Sequence, residues 1–130
     1  MSSTAPTPQM SQQAMIDAAK ASSLAYNEKN WTAARAAMAA NCTYDEAATQ
    51  RRVQGVDEVI RCWQGWAEAF PDSKCTFHNA FASGNNVCLE LTWRGTHTGT
   101  LETENGSIPA TNQSIEMRAC QVCEMAEGKA

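Results

Sequence analysis

The recurrence of apolar residues divides the chain into a helical first half and an alternating second half. Met10, Ala14, Ala18, Ala21 and Ala25 recur at helical spacing behind Thr7-Pro8, a side-chain cap followed by a residue suited to the first turn. They predict a helix over 8–27, stopped by Asn27-Glu28-Lys29-Asn30. A second helix over 30–40 carries Trp31, Ala34 and Met38 on one side and breaks at Asn41. Cys42-Thr43-Tyr44 reads as a short strand, and 45–52, polar and poor in β-branched residues, as a loop. From Gly55 onward, Val56, Val59, Ile60, Trp63, Trp66, Ala67 and Phe70 form the broad apolar face of a third helix, which Pro71 ends.

Beyond Pro71 the period falls to two. Cys75, Phe77 and Phe81 share a face of one strand, and Val87, Leu89, Leu91 and Trp93 share a face of the next, with Gly84-Asn85-Asn86 as a tight connection. Residues 101–111, with Gly106 and Pro109, read as a polar loop, and a third long strand covers 114–125. Helices first and hairpin strands afterwards predict an α+β fold: three N-terminal helices packed on one strongly curved antiparallel sheet. Residues 1–7 read as a disordered tail and 8–130 as a single domain.

Composition narrows the partners. A chain of 130 residues, 43% hydrophobic and 18% charged, is expected to build one packed core. A net charge of -4 lacks the positive field that nucleic-acid binding draws on, so no nucleic acid is expected. No apolar run approaches the roughly 18 residues that cross a bilayer, and no basic-then-apolar start marks a secretory signal; no membrane contact and a cytoplasmic location are expected. The six cysteines are expected to be reduced thiols, most of them buried. Cys120-Gln121-Val122-Cys123 has redox or zinc spacing, but side chains three apart on a strand point to opposite faces, so no metal site is expected.

Gly55-Val56-Asp57-Glu58-Val59-Ile60, Phe70-Pro71-Asp72 after Trp66, Gly84-Asn85-Asn86-Val87, Trp93-Arg94-Gly95-Thr96-His97-Thr98-Gly99 and Ile108-Pro109-Ala110-Thr111 stand in order along the chain. In that order and spacing, over about residues 14–129, the sequence resembles the SnoaL-like family of polyketide cyclases. The resemblance implies the cone-shaped α+β fold shared with nuclear transport factor two and ketosteroid isomerase, in which three helices close a curved sheet around a pocket. It also implies ring closure by intramolecular aldol condensation, with an acidic side chain as general acid/base and no metal or organic cofactor. Gln121 stands where typical members carry an inward Asp or His, and the family's catalytic acid would lie beyond Ala130, so no catalytic residue is assigned. The expected function is therefore a small-molecule pocket for a polyketide-like or other apolar cyclic molecule, with cofactor-independent cyclase or isomerase activity as its catalytic form. The alternative is a non-catalytic ligand-binding or dimerisation module that has lost the acid. Family members often dimerise through the sheet, and the 114–125 strand is expected to be an exposed edge that a homodimer covers.

Parity selects the candidate lining residues. Asn79 falls in register with Cys75 and Phe77, Gln121 with Ile115, Met117, Ala119 and Cys123, and His97 with Leu91 and Trp93. Trp63, Trp31 and Tyr44 are aromatic candidates for stacking on a planar ligand. The plainer roles are satisfaction of backbone groups for Asn79 and Gln121, pinning of the following loop for His97, and core packing for the aromatics. His78, of opposite parity, is expected to be solvated or at a subunit contact.

Overall fold

The computed structural model describes residues 11–47, 49–103, 105–126 and 129. Ser11 accepts a hydrogen bond from the Ala14 amide and opens α1 (Gln12–Asn27); the cap expected at Thr7-Pro8 lies outside the described residues. The buried side of α1 is rotated from the alanine stripe: Met15, Ile16, Ala19, Ser22, Ser23 and Tyr26 face inward, and Ala21 is exposed. Asn30 caps α2 (Trp31–Ala36) by accepting from the Ala33 amide. This helix is shorter than 30–40, because the chain after it bends to let Ala40 and Cys42 accept from the amides of Val56 and Gly55.

Residues 45–52 are not the loop that their composition suggests. β1 (Thr43–Glu46) and β2 (Arg51–Gln54) form an antiparallel hairpin that sets Asp45 against Arg52 and Glu46 against Arg51. Opposite charges across a strand pair stabilise a segment whose own β-propensity is poor. Gly55, at a φ of 91°, turns the chain into α3 (Val56–Ala69), which buries Val56, Val59, Ile60, Cys62, Trp63 and Ala69.

β3 (Lys74–Ser83) and β4 (Asn86–Thr96) follow as the predicted hairpin. The 101–111 segment also differs from expectation, since β5 (Leu101–Thr103) and β6 (Gly106–Ile108) pair across a turn that the Thr103 hydroxyl closes on the Gly106 carbonyl at 2.6 Å. β7 (Ser114–Glu124) then pairs along the whole of β4, giving a three-stranded sheet in the order β3-β4-β7. Among the described residues the pairing thus falls into one three-stranded sheet and two small hairpins rather than one continuous sheet.

The fold is α+β, with three helices against antiparallel strands. One core lies between α1 and the sheet, around Met15, Ile16, Ala19, Val87, Leu89 and Leu91. A second lies between the helices, around Tyr26, Ala34, Met38, Val59, Ile60 and Trp63. Trp93 packs against both. Of the six free cysteines, Cys62, Cys75 and Cys123 are buried, Cys42 and Cys88 are half-buried and Cys120 is exposed. No helix among the described residues is long and apolar enough to cross a membrane.

Candidate functional site

The inner face of the sheet carries the site, and Tyr26 is its hub. From the last turn of α1 its ring meets Trp31, Trp63 and Trp93 edge-on, at centroid distances of 5.7, 6.0 and 5.1 Å. Tyr44 on β1 meets the far side of Trp63 at 5.9 Å. Three sequence candidates, Trp31, Tyr44 and Trp63, are therefore brought together, but Trp63 is sealed in the core while Trp31, Tyr44 and Trp93 are half-buried. The Tyr26 hydroxyl and the Ser73 hydroxyl are 2.6 Å apart in a buried hydrogen bond, and burial pushes the phenol's pKa up, keeping it neutral.

The same face continues outward along β7. Met117 lies opposite Trp93 and Ile115 opposite Gly95, and these apolar side chains are 48% and 40% exposed. Ala119 and then Gln121, opposite Leu91 and Leu89, complete the strip. Gln121 is inward, as parity predicts, and the buried Ser23 hydroxyl donates to its carbonyl oxygen at 3.3 Å. Its amide nitrogen has only a long contact, 3.6 Å, to the Cys123 sulfur. From Ile115 to Gln121 the strip runs about 20 Å, enough for a molecule of several rings.

Gly95 makes one end of this face close. A Cβ there would stand 3.1 Å from Ser73 Cβ and 3.3 Å from Phe70 Cβ, so its absence lets the 70–73 segment lie over the strand. His97 follows at the same parity and is buried beneath Phe70, the two rings stacked at 5.0 Å. Its Nδ1 is 3.0 Å from the Thr111 hydroxyl, and its backbone exchanges hydrogen bonds with Asn112 and Gln113. Those contacts pin the returning loop, while Nε2 is buried with no partner among the described residues.

Asn79 is displaced from the site. The β3–β4 register slips between Phe77 and Asn79, so His78 becomes the extra residue of a bulge and every later side chain changes face. Ala80 and Ala82 turn inward, Phe81 turns out to solvent, and Asn79 is exposed, donating to Glu90 at 3.2 Å. Asn79 borders an open depression of about 290 Å³ between α1 and β3, with Gln13, Lys20 and His78. His78 is exposed and 2.5 Å from the Thr92 hydroxyl.

Sequence reasoning passed over Glu46, the half-buried carboxylate beside the aromatic cluster. It accepts from Arg51 Nε at 2.9 Å, Trp66 Nε1 at 2.7 Å, Tyr44 Oη at 2.9 Å and Thr49 Oγ1 at 2.9 Å. Burial pushes its pKa up, but these four donors together outweigh that and hold it below the usual carboxylate value. It is ionised and fully engaged. Tyr26, Trp93, Met117 and Ile115 were also not singled out; the helical position of Tyr26, three residues after Ser23, is the signal that places it over the sheet.

The fold recurs in solved structures. An LEH-like epoxide hydrolase of M. tuberculosis superposes with a TM-score of 0.69 at 17% identity, over 91% of this chain and 77% of its own. IdmH of Streptomyces antibioticus, a proposed polyketide cyclase, gives 0.69 at 20% identity over 88% and 85%. A Catenulispora acidiphila protein with a ketosteroid isomerase-like fold, in complex with trimethylamine, gives 0.70 at 15% over 85% and 76%. At these identities the likeness is one of fold. No curated protein sequence matches the chain. The model of the SnoaL-like polyketide cyclases matches residues 16–130, nearly the whole of the described fold, and the chain belongs to that family.

Proposed function

We propose that the protein binds a small, largely apolar, cyclic or polyketide-like molecule on the inner face of its sheet, without a cofactor. The observation that carries this reading is the continuity of the Tyr26–Trp31–Trp93 cluster with the exposed apolar side chains of Met117 and Ile115. Solvated apolar side chains beside an aromatic cluster favour a planar apolar ligand, which releases the water over them. Gln121, held through its carbonyl by Ser23, offers an amide N–H to a ligand carbonyl at the far end of the strip.

Binding is favoured over proton transfer by the state of Glu46. Ring closure or isomerisation of a ketone needs a base with a raised pKa, and Glu46 is held low by four donors. Isotope exchange tests the choice. A bicyclic or tricyclic ketone is incubated with the protein in deuterated buffer and followed by NMR. Line broadening of the ketone with α-proton exchange at the buffer rate is the expected result. Exchange accelerated by the protein supports the cyclase or isomerase reading instead, and an unbroadened spectrum removes the ligand reading.

A homodimer is a second proposal, resting on β7. Among the described residues this strand pairs only with β4, leaving the backbone groups of an 11-residue edge unpaired. Pairing of two β7 edges satisfies them and leaves both sheet faces open. Light scattering that gives a concentration-dependent doubling of mass supports it; a monomer at all concentrations overturns it.

A further inference from the structure

The outer face of the sheet, turned away from the proposed ligand strip, carries a pair of cysteines. Cys88 on β4 is opposite Val122, and Cys120 on β7 is opposite Glu90, so the two are diagonal neighbours across one strand boundary. Their sulfurs are 3.0 Å apart. Cys120 is exposed and Cys88 half-buried, whereas Cys123, although near in sequence, is buried on the inner face.

We propose that Cys88 and Cys120 form a dithiol site that small disulfides such as oxidised glutathione convert to an intrachain disulfide. Closing the sulfurs to the bonded distance of about 2.05 Å moves them by about 1 Å in all. The product staples the edge strand to β4 in the register that presents Met117 and Gln121 on the inner face.

The two sulfurs have different roles. The contact with the Cys120 sulfur, with burial, holds the Cys88 thiol up at about 11. Cys120, facing solvent, reacts first. Its thiolate attacks one sulfur of glutathione disulfide, the S–S bond breaks, and one glutathione leaves as thiolate. Cys88 then loses its proton to a solvent base and attacks Sγ of Cys120, expelling the second glutathione. Two protein thiols are oxidised, one glutathione disulfide is reduced, and the two protons released end on the two glutathione thiols.

The test equilibrates the full chain in buffers of increasing oxidised-to-reduced glutathione ratio, traps free thiols by alkylation and maps the peptides by mass spectrometry. The expected product is monomeric on a non-reducing gel, lighter by two hydrogens, with the bridge between the peptides of Cys88 and Cys120. Cys88→Ser is expected to hold a lasting mixed disulfide on Cys120, and Cys120→Ser to leave Cys88 unmodified. A wild-type chain that stays reduced across the series overturns the proposal. So does one that stops at a mixed disulfide, or that bridges between chains or through another cysteine. The wild-type map decides the matter whatever the variants do.

Discussion

The indole N–H of Trp66 donates to Oε2 of Glu46 at 2.7 Å and ties α3 to the β1–β2 hairpin. That bond joins a helix read readily from its period to a hairpin that composition alone does not reveal. Through it the half-buried carboxylate fixes Tyr44, and Tyr44 in turn backs Trp63 at the centre of the aromatic cluster.

Glu46 makes stability depend on acid. Its pKa in the folded chain is depressed, so its contribution is present above the unfolded carboxylate value of about 4.3 and is lost as pH falls through the lower folded value. Glu46→Gln keeps the shape and removes the charge that Arg51 and Trp66 address. It is expected to lower stability near neutral pH by about 2 kcal/mol, the scale of hydrogen bonds to a charged group. Urea melts at pH 7 and pH 3 check this: the gap between wild type and variant is expected to close at the lower pH.

Tyr26→Phe separates packing from hydrogen bonding at the hub. The ring keeps its contacts with Trp31, Trp63 and Trp93, while the buried Ser73 hydroxyl loses its partner. A loss of about 1 kcal/mol is expected in a denaturant melt, with the near-ultraviolet circular dichroism of the tryptophans unchanged.

Gly99→Ala is expected to be much worse than its size suggests. A Cβ at Gly99 falls 1.9 Å from the Glu68 carbonyl oxygen, where the amides of Thr98 and Gly99 also bond the Ala69 carbonyl at the end of α3. The clash is with backbone, so the segment must move and release those bonds. A loss of about 2–3 kcal/mol is expected, measured as a drop in Tm against wild type. Gly65→Ala, inside α3 where a Cβ meets nothing within 4 Å, serves as the comparison and is expected to gain about 0.5–1 kcal/mol from helix propensity.

What could be read from the sequence followed the range of the forces involved. Helix α3 and the β3–β4 hairpin were legible because Val56, Val59, Ile60 and Trp63, or Val87, Leu89 and Leu91, repeat with a period set by local geometry. The β1–β2 hairpin was not, because it depends on Glu46 meeting Arg51 across a turn and Trp66 from a distant helix. Asn79 was assigned to the inner face by a parity count that one bulge at His78 reverses. Gln121 faces inward as its parity implies because β4 and β7 run in unbroken register, and His97, one residue beyond β4, is buried by its backbone bonds to Asn112 and Gln113. The site's other members, Tyr26 and Met117, are ordinary residues in the sequence and become a surface only when α1 crosses the sheet.

The inner-face ligand reading is tested most directly by a matched pair of substitutions on β7. Met117 and Val122 are both exposed apolar residues, at 48% and 68%, but Met117 faces the aromatic cluster and Val122 the opposite side of the sheet. Quenching of tryptophan fluorescence by a planar tricyclic ketone is titrated against wild type, Met117→Glu and Val122→Glu. The account predicts saturable quenching by wild type, at least a tenfold weaker affinity for Met117→Glu, and an unchanged affinity for Val122→Glu. Equal affinity in all three proteins, or a loss confined to Val122→Glu, would contradict it.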